Sequence, residues 1–231
     1  RDGDAVLEGS VVRDARRRGS RPAVMIVHDW DGPNAHELRV ARKLADLGYV
    51  AFVADIYGKG VRPTSQAENA REAGKFYADA ALFRSRLLAG FETTRNLPDV
   101  DRKRVAAYGY CFGGSGVIKL ARTGADVRSV VSFHGGLDAG TPAENKAIRA
   151  NVLVLHGADD PLVPPADVLG FRTALEAARK PYTFVAYPGA VHAFAVQEAG
   201  SDKSRGAAYD PVADRKSWAR AKAFLDKNGV R

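Results

Sequence analysis

The chain has one cysteine, one methionine and no apolar run near the length a membrane helix needs. A single thiol cannot form an internal disulfide, so no cross-linked small scaffold is available. A bilayer span takes about 20 consecutive apolar residues, and nothing here approaches that. There is no internal repeat, no low-complexity tract and no Pro/Gly/Ser-rich linker to divide the chain. It starts at Arg1 without a basic-then-apolar leader, which suits a soluble protein, either cytoplasmic or exported with its leader removed.

What is present is 231 residues, 45% hydrophobic and 27% charged, enough for one α/β domain over residues 1–231 with a substantial core. The net charge of +8 raises an anionic polymer as a partner. Its placement argues otherwise. Arg13–Arg21 and the terminal stretch Ser201–Arg231 together supply the whole excess, one as a turn and one mostly as a helix with its charges spread around it. Neither is a continuous phosphate-tracking groove, and no nucleic-acid or membrane partner is expected.

Short apolar runs alternate with helical patterns along the whole chain. The runs are Ala23–Val27, Val50–Ala54, Val105–Tyr108, Val127–Phe133, Val152–Leu155 and Thr183–Tyr187, preceded by a strand or hairpin in Ala5–Arg13. Helices are expected over Ala35–Leu47, Gln66–Ala89, Gly114–Arg122, Asp167–Ala178 and Pro211–Lys227, the last started by Asp210 as N-cap before proline. That rhythm predicts a mostly parallel central sheet flanked by helices on both faces, with ligands beyond the carboxyl ends of the strands.

At one such end stands Gly109-Tyr110-Cys111-Phe112-Gly113-Gly114. Gly-x-Cys-x-Gly between a strand and a helix has the form of a nucleophile elbow, whose strained turn lifts the central side chain above the sheet. Its neighbours must be small, as Gly109 and Gly113 are. A helix N-terminus also stabilises a thiolate, so a lowered Cys111 pKa is expected. The run lacks the lysine of a phosphate-binding loop and the central glycine of a dinucleotide fingerprint. Taken alone, Cys111 could equally be a small buried hydrophobe in a glycine-rich turn.

Two later strand ends supply partners. Asp159 and Asp160 follow Val152–Leu155, and His192 follows Thr183–Tyr187. Nucleophile, acid, histidine is the chain order of the α/β hydrolases. His28 and His134 also end strands, but no Cys/His/Asp/Glu cluster has metal-site spacing, so both are read as structural or pocket-lining and no metal is expected.

Together Gly109–Gly114, Asp160-x-x-Val163-Pro164 and His192-x-Phe194 resemble the dienelactone hydrolase family, the cysteine branch of the α/β hydrolases. So do His28-Asp29-Trp30-Asp31-Gly32-Pro33-Asn34, Gly48-Tyr49-Val50 and Asp55-x-Tyr57. The resemblance implies an α/β-hydrolase fold and a Cys111-His192-Asp160 triad cleaving an ester or lactone through an acyl-enzyme, without a cofactor. It implies an oxyanion hole from the N–H groups of Phe112 and Trp30. The family's glutamate near the thiol, held to help activate it, falls on Asp29, one methylene shorter. The arginine that binds a substrate carboxylate in founding members falls on Val196. Arg84 and Arg86 carry the nearest alternative positive charge and are read as solvated helix face. Two other readings of the same residues are a redox-sensing thiol at Cys111 and a non-catalytic binding module on the same fold.

Overall fold

In the computed structural model all 231 residues are described. Seven strands, β1 (Ser10–Val12), β2 (Arg21–Val27), β3 (Val50–Ala54), β4 (Val100–Tyr110), β5 (Ser129–Phe133), β6 (Asn151–Gly157) and β7 (Tyr182–Tyr187), form one sheet in the order β1-β3-β2-β4-β5-β6-β7. All pairings are parallel except β1 with β3. Seven helices connect them: α1 (Ala35–Asp46), α2 (Gln66–Ala78), α3 (Ala80–Arg95), α4 (Phe112–Arg122), α5 (Pro142–Ala147), α6 (Pro165–Ala177) and α7 (Pro211–Lys227).

The inner strands β2, β3, β5, β6 and the second half of β4 are buried on both faces, and their period of two sorts side chains between two cores. In β2, Met25 and Val27 face a core completed by Phe83, Leu87 and Phe91 of α3, Val117 and Leu120 of α4 and Phe171 of α6. Val24 and Ile26 face the opposite core, closed by Val40 and Leu44 of α1 and by Ala221, Phe224 and Leu225 of α7. Helices thus cover both faces of a mostly parallel sheet, the α/β-hydrolase arrangement.

Several segments differ from the sequence expectation, among them β4, which begins at Val100 rather than Val105, and β1, which is confined to Ser10–Val12. The single helix expected over Gln66–Ala89 is broken at Asp79, which closes α2 and caps α3 by accepting the N–H groups of Ala81 and Leu82. Its backbone is extended (φ −120°, ψ 90°), because the capping carboxylate competes with helix continuation. Val127 and Arg128 precede β5, which starts at Ser129. The short helix α5 has no apolar periodicity to announce it; a capping box between Thr141 and Glu144 forms it.

Because parallel strands all begin at one end, the two basic segments meet. Arg104, near the start of β4, donates to the carbonyls of Arg231 (3.1 Å) and Ser20 (3.4 Å). The arginine-rich turn and the chain terminus therefore share the pole opposite the carboxyl ends of the strands.

Candidate active site

β4 ends in the elbow. Cys111 sits at φ 47°, ψ −108°, a conformation L residues rarely adopt, and is the N-cap of α4. The turn is held by the Cys111 N–H on the carbonyl of Phe133 (3.1 Å) and by the Ser115 N–H on the carbonyl of Cys111 (3.1 Å). Packing makes it possible only with glycines. A Cβ on Gly109 would run into the backbone of Gly113, and one on Gly114 into that of Gly135.

Two further residues come from the ends of β6 and β7, beyond β5 on that side. Asp160, in the turn after β6, is 5% exposed while its neighbour Asp159 is solvent-facing. Its two carboxylate oxygens accept from the Leu162 N–H (2.8 Å) and from Nδ1 of His192 (2.8 Å). His192 follows β7 on a loop pinned by backbone pairing, its N–H on Gly206 and its carbonyl taking the N–H of Ala208. With Nδ1 donating to Asp160, Nε2 carries the free lone pair, and that atom is buried without a partner.

Asp29 lies just past the end of β2. Despite the shorter side chain, its carboxylate lies close enough to the Cys111 thiol to act on its ionisation. The same carboxylate accepts the N–H of Trp30 at 2.5 Å. The Trp30 donor is therefore engaged by the site's own carboxylate at rest.

This arrangement reverses the electrostatic expectation for Cys111. Burial, then the Asp29 charge and its hydrogen bond, push the thiol well above its ordinary pKa, and the Phe112 N–H at the helix start only partly opposes them. Desolvation also raises Asp29. Cys111 does stand at the start of α4, which begins at Phe112 rather than Gly114, but a single N–H at a turn is outweighed by a carboxylate beside a desolvated sulfur. Replacing Asp29 with Asn removes that charge and lowers the thiol pKa. At pH 8 iodoacetamide should therefore label Asp29→Asn faster than wild type, by about tenfold for each unit recovered. Equal or slower labelling would refute the assignment, and the lone cysteine makes the signal unambiguous.

His28 and His134 lie within the walls. His28 is fully buried, with Nδ1 2.6 Å from the Asp29 carbonyl and Nε2 accepting the Ile56 N–H at 3.2 Å; burial drives its pKa down to about 4, so it is a neutral strut under Asp29. His134 packs edge-on against the rings of His192 and Phe194. Arg84 and Arg86 are committed to Glu144 and Asp2. Val196 ends the loop beyond His192, at the start of a short 3-10 turn.

Two residues without an assigned role in the sequence reading support the Asp29-Trp30 peptide. Tyr57 donates its hydroxyl to the Trp30 carbonyl (2.7 Å), and Glu37 of α1 accepts the Asp29 N–H (3.2 Å). Tyr57 had a signal in Asp55-x-Tyr57 and Glu37 in the capping spacing Asn34-x-x-Glu37, but neither pattern says what the side chain touches. Beside the elbow, an open cleft of about 660 Å³ is lined by Tyr77, Ser115, Lys119, Leu137 and Asp138 among others. Ser115 lies one helical turn from Cys111, and the Tyr77 ring packs on Phe112.

The family model for the dienelactone hydrolase family matches residues 7–229. The chain belongs to the dienelactone hydrolase family. A solved dienelactone hydrolase-like promiscuous phosphotriesterase from metagenomic libraries superposes with a TM-score of 0.94 at 34% identity, covering 99% of this chain and 95% of its own. A Synechocystis protein named "Putative carboxymethylenebutenolidase" is 27% identical over 90% of this chain and 86% of its own length. A Bradyrhizobium protein named "Probable 2-oxo-3-(5-oxofuran-2-ylidene)propanoate lactonase" is 28% identical over 90% and 84%. This dienelactone hydrolase family member is a carboxylic ester hydrolase, and no helix in it is long and apolar enough to cross a membrane.

Proposed function

We propose that the protein hydrolyses a small ester or lactone through an acyl-enzyme on Cys111, with His192 and Asp160 completing the triad. The observation that carries this is a free, buried His192 Nε2, whose ring is oriented by Asp160, at the strand ends that also carry the Cys111 elbow. A protein that only binds ligands has no need of an oriented base beside a strained nucleophile. A redox-sensing thiol would need a low pKa, and this one is raised.

At rest Asp29 lies beside the thiol and accepts the Trp30 N–H. A substrate carbonyl entering between Phe112 and Trp30 displaces the carboxylate from the Trp30 N–H. Asp29, whose own pKa is raised by burial, accepts the thiol proton, and sulfur attacks the carbonyl carbon. The oxyanion is held by the two N–H groups, each donor contributing about 3 to 4 kcal/mol in such sites. The proton passes to His192 Nε2 and leaves on the departing alkoxide. His192 then takes a proton from water as hydroxide attacks the thioester, and returns it to the sulfur as the acid product departs. Asp160 stabilises the imidazolium in both halves. No step calls for a cofactor.

The adjoining cleft suits an uncharged substrate. Lys119 and Asp138 on its wall neutralise each other at 2.9 Å, and Val196 offers no charge to a substrate carboxylate. Small-molecule esters are thus favoured over carboxylated lactones as partners.

The test is trapping. With p-nitrophenyl butyrate, His192→Ala should lose about 10³-fold in turnover. Mass spectrometry should find a butyryl adduct on Cys111 that wild type clears too fast to accumulate. Wild-type turnover in His192→Ala, or an adduct elsewhere, would overturn the mechanism.

A further inference from the structure

The loop carrying Asp29 and Trp30 joins β2 to α1, and one side chain holds both its ends. Glu37, with no exposed surface, accepts the Asp29 N–H on one carboxyl oxygen (3.2 Å) and the Asn34 N–H on the other (3.0 Å). Capping α1 accounts for the Asn34 bond, since Asn34 in turn accepts the His36 N–H at 2.7 Å. It does not account for the bond to Asp29, eight residues back at the end of a strand. No cation faces this carboxyl; its charged neighbours are Asp29 and Asp31, and burial lifts its pKa to about 8. A buried acid among acids is a costly way to cap a helix, and Asn34 alone would serve.

What the second bond holds is the reactive part of the loop. The Asp29 N–H belongs to the residue whose carboxylate meets the thiol, and it lies one peptide before the Trp30 N–H. Tyr57 fixes the far side of that peptide through the Trp30 carbonyl. The clamp therefore sits within one residue of both groups that must exchange partners when substrate arrives.

We propose that Glu37 is a positioning residue for the reaction, its carboxyl bridging the two ends of the Asp29–Asn34 loop so that the Trp30 N–H and the Asp29 carboxylate are held in register with Cys111. This rests on the roles given to Asp29 and Trp30 above. Displacement of a positioned donor by about 1 Å can cost on the order of 10²-fold in rate. The loss falls on kcat, because the oxyanion contact strengthens only in the transition state.

The experiment compares Glu37→Leu, which fills the space but accepts nothing, with Glu37→Gln, which stays neutral and keeps an acceptor. Thr141→Ala, which removes the capping side chain of the distant helix α5, controls for lost stability. With p-nitrophenyl butyrate, Glu37→Leu should lose about 50-fold in kcat with KM little changed, and Glu37→Gln, which can accept only one of the two N–H groups, should fall between it and wild type. Thr141→Ala should lower Tm and leave kcat at the wild-type value. A folded Glu37→Leu with wild-type kcat overturns the proposal.

Should the leucine variant not fold, amide hydrogen exchange in the wild-type protein decides. Protection of the Asp29 and Asn34 amides equal to that of β2 supports the clamp, and free exchange overturns it. Failure of the catalytic reading itself is separately visible, as wild-type turnover by Cys111→Ala.

Discussion

Cys111→Ala is expected to lower kcat/KM for p-nitrophenyl butyrate by about 10⁴-fold or more, with Tm close to wild type. The size follows from what the residue does. Without the sulfur there is no covalent route, and what survives is binding and two N–H donors acting on attack by water. Stability should hold because Cys111 belongs to neither apolar cluster and Ala removes only one sulfur atom. Cys111→Ser should not rescue activity, since a hydroxyl is a far weaker acid than the thiol and Asp29 is a modest base. Steady-state nitrophenol release decides, and a Cys111→Ala enzyme within tenfold of wild type would end the nucleophile assignment.

Gly113→Ala should be strongly destabilising for so small a change. A Cβ there would overlap the carbonyl oxygens of Val27 and His28 at the end of β2. These are backbone atoms of a central strand and cannot rotate away, unlike a flexible side chain. Relief requires α4 to move off the sheet, and with it Phe112 and the elbow. The expected cost is about 3 kcal/mol or more, a fall in Tm of about 6 to 12 °C for a chain of this size. Gly74→Ala in α2 provides the contrast, because a Cβ there meets nothing within 4 Å. Ala is the better helix former, so that variant should be neutral or slightly stabilised. Thermal unfolding of the pair measures the difference, and equal Tm values would contradict the close approach of α4 to β2.

Both predictions concern residues that the sequence singles out, and the reason is local. An elbow requires small residues at fixed offsets from its centre, so Gly109-x-Cys111-x-Gly113 is legible without coordinates. Sheet strands buried on both faces read as apolar runs, which is why β3 and α7 match their expected ends residue for residue. Helix breaks depend on which partner a capping side chain finds, so Asp79 and α5 were not legible in the apolar pattern. The choice of Asp160 over Asp159 followed from a resemblance in spacing. The structure adds its physical basis, one carboxylate turned inward to a histidine and the other to solvent.

The sequence by itself determined the alternation that makes a parallel α/β sheet, the family, and the identity of the residues at the strand ends. It could do so because periodicity and turn chemistry are carried by near neighbours. Only the tertiary structure decided the charge state of Cys111, the engagement of Trp30 and Asp29 with the site's own groups, and the clamp at Glu37. It also brought the arginine-rich turn and the chain's last residue together at the start of β4, opposite the carboxyl ends of the strands. Each of these is set by distance and desolvation between segments remote in sequence, and neither quantity is written in the spacing of residues along a chain.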